Sequence, residues 1–171
     1  MAGLAGERQA LTPDGEPACY SCEAAAGLRR ISPGGVILGE RYWRVEHAYP
    51  CGLRGWLVIV LQRHAAALHG LTPAEWAALG ALQERVVQAL RAEVGCAREY
   101  VAGWAEAPHF QHVHLHVIPV AADLAPDLRG PGVFRLLGPG APHPVAPDDV
   151  RALSAALAGR LAALAPAPPP A

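Results

Sequence analysis

Three histidines spaced two apart, His112, His114 and His116, alternate with Val113, Leu115 and Val117 and run on into Ile118. A strand repeats every two residues, so this spacing predicts three imidazoles on one face and three apolar side chains on the other. Neutral imidazoles held on a rigid element can ligate a transition metal. They can equally work as nucleophile, acid or base near neutral pH. The spacing alone leaves both chemistries open.

A second group lies far away in the chain. Cys19 and Cys22 form a C-x-x-C pair, which in a reducing compartment reads as a metal clamp or a redox couple before it reads as a disulfide. Tetrahedral zinc needs two more ligands. His64, closing an apolar strand, and His112, opening the histidine string, are candidates because strand ends from different segments can converge. Gln111, next to the string, carries an amide able to hydrogen-bond a phosphate oxygen. Cys51 and Cys96 read as packing residues, and His47, His69 and His143 as solvated or structural ones.

The elements that must position these groups follow from periodicity. Val36–Glu40 and Tyr42–His47 read as strands joined near Gly39, and Gly55–Leu61 as a central, nearly all-apolar strand. Thr72-Pro73-Ala74-Glu75 has capping-box spacing with Pro at the first helical position. Trp76, Leu79, Leu82, Val86, Val87 and Leu90 then recur at helical spacing until Gly95. Arg98–Ala105 and His112–Pro119 complete five strands. The Pro- and Gly-rich stretch 123–147 reads as an extended loop, and Asp148 or Asp149 as the cap of a final helix through Leu164. The expected fold is α+β: an antiparallel sheet of about five strands with one long helix on a face. Residues 18–164 form one domain, between Pro/Ala/Gly-rich segments 1–17 and 165–171 expected to be flexible.

Composition narrows the function classes. The net charge of −1 over 171 residues gives no electrostatic case for a nucleic-acid partner. All 14 basic residues are arginine, so there is no Walker-type lysine. No signal-peptide core and no apolar run near the ~20 residues of a membrane span is visible, and a cytoplasmic location without membrane attachment is the expectation.

The string His112-Val113-His114-Leu115-His116-Val117-Ile118 resembles the H-φ-H-φ-H-φ-φ signature of the histidine-triad superfamily of nucleotide hydrolases and transferases. Gly55-Trp56-Leu57-Val58-Ile59-Val60-Leu61-Gln62-Arg63-His64 is similar to that family's G-H-x-L-V-I-P-K-x-H strand. Cys19-x-x-Cys22 resembles the C-x-x-C of its zinc-containing bacterial members, and the likeness runs over about residues 19–120. Departures are visible too: Trp56 stands where the pattern has His, Pro119-Val120 replaces P-R, and the chain has no Asn.

The resemblance implies that His114 attacks the α-phosphorus of a nucleotide, forming a nucleotidyl-histidine that water hydrolyses, and that His116 contacts phosphate and assists the leaving group. It implies a structural zinc held by Cys19, Cys22, His64 and His112. Glu46 or His47 occupies the region of the family's ribose contact, and Gln111 is the nearby amide for phosphate. The implied substrates are small nucleotides such as dinucleoside polyphosphates or nucleoside phosphoramidates. Relatives commonly pair as homodimers. A nucleotidyltransferase of the same superfamily and a non-catalytic nucleotide- or zinc-binding module are the alternative readings.

Overall fold

The structure, a computed structural model, describes residues 19–165; the segment 1–17 and all but the first residue of the tail 165–171 lie outside them. Five antiparallel strands form one sheet: β1 (Val36–Gly39), β2 (Trp43–His47), β3 (Leu57–Leu61), β4 (Arg98–Ala102) and β5 (His114–Val120), in the spatial order β1-β2-β3-β5-β4. Helices α1 (Tyr20–Ala25), α2 (Pro73–Val94) and α3 (Pro147–Ala163) accompany it.

One sheet face carries the larger core. Trp43, Val45, Ile59, Leu61 and Val117 meet Leu79, Leu82, Val86 and Leu90 of α2 and Leu153, Leu157 and Leu161 of α3. The expected α2 forms with its capping box: Thr72 Oγ1 accepts from the Glu75 amide at 3.3 Å, and the Glu75 carboxylate accepts from the Thr72 amide at 2.7 Å. Gly95 ends the helix in the left-handed conformation (φ 70°), which glycine adopts without steric cost. Trp76, expected on the apolar stripe, is instead 45% exposed. It follows Glu75, which is buried with its carbonyl accepting from the Trp43 indole of β2, and so stands about 100° round the helix from that docked position. The sheet face is also shared, since α3 packs on β1 and β2 beside α2.

The opposite face holds the histidines, and here the structure departs most from the sequence reading. Segment 123–147, expected to be an extended loop, contains two 3₁₀ helices, Pro126–Leu128 and Gly130–Leu136. Val133 and Leu136 build a second core with Trp56, Ile118, Ala48 and Cys51, backed by Phe134 and Leu137. Three-residue periodicity this short and this broken by Pro and Gly leaves no repeating stripe to read.

Smaller boundary differences matter for the site. β5 begins at His114, so His112 lies just before the strand. β4 stops at Ala102 rather than Ala105. A Cβ on Gly103 would fall 2.7 Å from the His114 carbonyl oxygen, so only glycine lets the chain leave the sheet this close to β5. α3 is capped by the backbone of Ala146, with Pro147 at its start and Asp148 and Asp149 in the first turn, where their charge favours the positive helix end.

Candidate functional site

The register places the site's rows. Val60 pairs with His114 and Val58 with His116 across β3 and β5, while Arg44 and Glu46 of β2 face Val60 and Val58. With strands ~4.8 Å apart, Glu46 lies about 10 Å across the sheet from His116 on the same face.

The middle histidine is held in one tautomer. His114 Nδ1 is 2.7 Å from the His112 carbonyl oxygen, which can only accept, so Nδ1 carries the proton and Nε2 keeps its lone pair. Burial pushes its pKa below the ordinary value, which keeps the ring neutral at pH 7. His116 stacks edge-on to His114, ring centroids 5.1 Å apart. Its Nδ1 accepts a 3.0 Å hydrogen bond from the indole N–H of the fully buried Trp56. Burial, with the neighbouring His114, lowers its pKa to about 4. Both rings open onto a cavity of about 400 Å³ that also includes Trp104, Pro131, Phe134 and Leu137.

The second group converges as well. Cys19, Cys22, His64 and His112 bring one ligand atom each to within 4.8 Å of all the others. Cys19 Sγ lies 3.4 Å from His112 Nδ1, and Cys22 Sγ lies 3.4 Å from His64 Nδ1 and 3.6 Å from His112 Nδ1. Zn–S and Zn–N bonds at a tetrahedral angle separate sulfur from nitrogen by about 3.6 Å, so the donor set fits zinc in type and spacing. His112 Nε2 donates to the Leu61 carbonyl at 2.7 Å, leaving Nδ1 as the ligating atom, and its burial holds the ring neutral with a pKa near 4. Burial and the adjacent Cys19 push the Cys22 thiol up to about 11; a dication is the partner that would favour both thiolates.

Supports for this corner come from three segments. Arg63, next to His64, makes a two-pronged ion pair with Glu75 at 2.6 and 2.7 Å and also donates to the Gly70 carbonyl. The buried Arg44 bonds Glu46 at 2.6 Å and the Ser21 carbonyl of α1 at 3.0 Å. Tyr20 stacks on His109 at 4.5 Å, and its amide donates to the His109 carbonyl.

The other sequence-derived candidates separate. Glu46 lines a cleft of about 320 Å³ with Arg29, Arg30 and Ser32. His47 is 1% exposed, bonds the Ala48 carbonyl through Nδ1 and accepts from the Gly55 amide at Nε2. Both nitrogens are therefore committed to the β2–β3 turn, which leaves none for a substrate. Gln111 is exposed, in the turn before β5. Sequence reasoning missed Trp56, Trp104 and Phe134 as site residues. Trp56 was legible as a departure from the family pattern, but its bond to His116 depends on the register of β3 with β5.

Residues 40–126 match the family model described as scavenger mRNA decapping enzyme C-term binding, and the chain belongs to this family. Its fold is similar to that of a hypothetical histidine triad nucleotide-binding protein from Sulfolobus tokodaii (13% identity, 85% of this chain and 93% of that one, TM-score 0.66). It is similar likewise to a zinc-bound histidine triad family protein from Mycobacterium smegmatis (20% identity, 85% and 96%, TM-score 0.59). A third likeness is to a histidine triad protein from Bradyrhizobium japonicum (21% identity, 74% and 89%, TM-score 0.60). No curated protein matches the chain significantly in sequence.

Proposed function

We propose that the protein is a nucleotide hydrolase that works through a nucleotidyl-histidine intermediate on His114. The observation that carries this is the His114 tautomer: Nδ1–H is committed to the His112 carbonyl, so the neutral ring offers a lone pair at Nε2. Attack of Nε2 on the α-phosphorus forms a P–N bond and releases the leaving group with the electron pair of the broken bond. Water then attacks the same phosphorus, the P–N bond breaks, and His114 regains its lone pair. His116 Nε2–H lies beside this nitrogen and donates to phosphoryl or bridging oxygen. The cleft at Glu46, two strands away, is the place we assign to the nucleoside.

Cys19, Cys22, His64 and His112 are the residues that would hold zinc, with all four positions taken by protein and no site left open for water. When bound, it supplies a structural crosslink between α1, the end of β3 and the start of β5. His112 is both a ligand and the acceptor for His114 Nδ1 through its carbonyl, so fixing it orients the nucleophile.

The test is turnover of a panel of adenosine nucleotides by wild-type protein and His114→Ala. The substitution is expected to lower kcat by about a thousandfold or more with circular dichroism and zinc content unchanged. Alkaline quenching of the wild type, which spares the acid-labile P–N bond, should trap a covalent nucleotide on His114. Full rate in His114→Ala would remove the nucleophile assignment.

A further inference from the structure

The indole N–H of Trp56 can only donate, and it points at Nδ1 of His116 from 3.0 Å. A proton on that nitrogen would set two donors against each other. His116 is thereby held as the Nε2–H tautomer, and cation formation would require breaking a bond made by a side chain with no exposed surface. Trp56 is itself fixed edge-on against Phe134, 5.1 Å between centroids, and Phe134 against both His116 (5.3 Å) and Trp104 (4.4 Å). The clamp has little room to turn.

A neutral imidazole with one N–H can offer a hydrogen bond but is too weak an acid to give the proton away. A leaving group that needs a proton to depart, such as an amine, gets none from His116. One that departs as an anion needs only the hydrogen bond. The cavity next to His116 adds a second, independent restriction. Among the described residues its lining contains no arginine, and the one acidic side chain there is Glu106. Trp104, 53% exposed, and Phe134 present aromatic surface instead. A polyphosphate would meet no cation there, whereas an apolar planar group would find stacking partners.

Resting on the hydrolase reading above, we propose that Trp56 is a positioning residue that, with the aromatic cavity, restricts the substrate to nucleoside monophosphates joined through oxygen to an apolar acid, acyl or aryl, that leaves without a proton. In the step itself His114 Nε2 forms the P–N bond, the P–O bond to the acid breaks, and the carboxylate or phenolate departs with the electron pair. Water completes the cycle, giving the nucleoside monophosphate and releasing one proton to solvent.

Four adenosine monophosphate derivatives separate the possibilities: the para-nitrophenyl ester, the phenylacetyl mixed anhydride, the benzylamine phosphoramidate and diadenosine tetraphosphate. In the wild type the ester and the anhydride are expected to exceed the other two in kcat/KM by about tenfold or more. Trp56→Phe keeps the ring packing and removes the N–H, so His116 becomes free to take up a second proton. The phosphoramidate should then gain on the ester, narrowing their ratio. Long-range ¹H–¹⁵N spectra of the unsubstituted protein should show His116 protonated at Nε2 alone, a readout that needs no variant to fold.

Trp104→Ala should raise KM for the ester and leave that for diadenosine tetraphosphate unchanged. A proton found on His116 Nδ1, a tetraphosphate cleaved as well as the ester, or an unchanged ratio in folded Trp56→Phe overturns the proposal. A KM rise common to all four would place the nucleoside in this cavity and overturn it too. None of these outcomes bears against the hydrolase reading. A protein that cleaves none of the four and traps no nucleotide overturns the hydrolase reading, and this proposal with it.

Discussion

Each histidine of the string is assigned by the atom that bonds its second nitrogen. His112 gives Nε2–H to Leu61 and turns Nδ1 to the cysteines, His114 gives Nδ1–H to His112 and frees Nε2, and His116 receives at Nδ1 from Trp56. Residue spacing cannot carry that information, because three equal intervals look alike. What differs is the carbonyl or indole that each ring meets, and that is set by neighbours 51, 2 and 60 positions away in sequence. A prediction belongs at this scale. Cys19→Ser replaces a thiolate with a poor zinc ligand and leaves three donors. Elemental analysis should find about one zinc per chain in the wild type and a large loss in the variant. A thermal melt that falls on chelation of the wild type, and no longer responds to chelator in Cys19→Ser, would tie the metal to these sulfurs. A fully folded wild-type protein with no metal would exclude the four-ligand site.

The elements were legible where a period repeats and opaque where it does not. The alternation through β5 and the stripe Leu79, Leu82, Val86 and Leu90 in α2 each turn an apolar face to the larger core, so their patterns record that core directly. Pro126–Leu128 and Gly130–Leu136 carry no such record, yet they place Val133 and Phe134 over Trp56 and bring Pro131 to the cavity. The cap of α2 lies between these cases. Thr72 and Glu75 were readable as a motif, but the pairing of Glu75 with Arg63, whose neighbour His64 is a candidate ligand, required the fold. Thr72→Ala removes the hydroxyl that accepts from the Glu75 amide and is expected to cost about 1 kcal/mol by chemical denaturation. The zinc content should be unchanged, because Arg63 still has both Glu75 oxygens and the Gly70 carbonyl. A loss of several times that size would mean that the cap, rather than the sheet, orders the approach to His64.

At the scale of the molecule, two kinds of group tie stability to pH, and both act on the acid side. His116 has a folded pKa near 4, below the ordinary histidine value of 6.5. The unfolded chain therefore binds a proton first as pH falls, and this contribution, complete above about 6.5, is lost between about 6.5 and 4. His47, lowered by burial in the β2–β3 turn, acts in the same direction. Glu75 follows at lower pH. Its hydrogen bonds from Arg63, and then from the Thr72 amide, hold its carboxyl near 2 against an ordinary 4.5. Its contribution is present above about 4.5 and lost as pH falls toward 2. Denaturant midpoints measured at pH 7.5, 4 and 2.5 should therefore fall in two stages, the first beginning above the range in which carboxylates titrate. His116→Gln cannot take up a proton, so the drop between the first two pH values should shrink while the second stage stays. An equal early drop in that variant would assign the first stage to the other buried histidines, His47, His112 and His114, and would mean that His116 titrates at its ordinary value despite its burial.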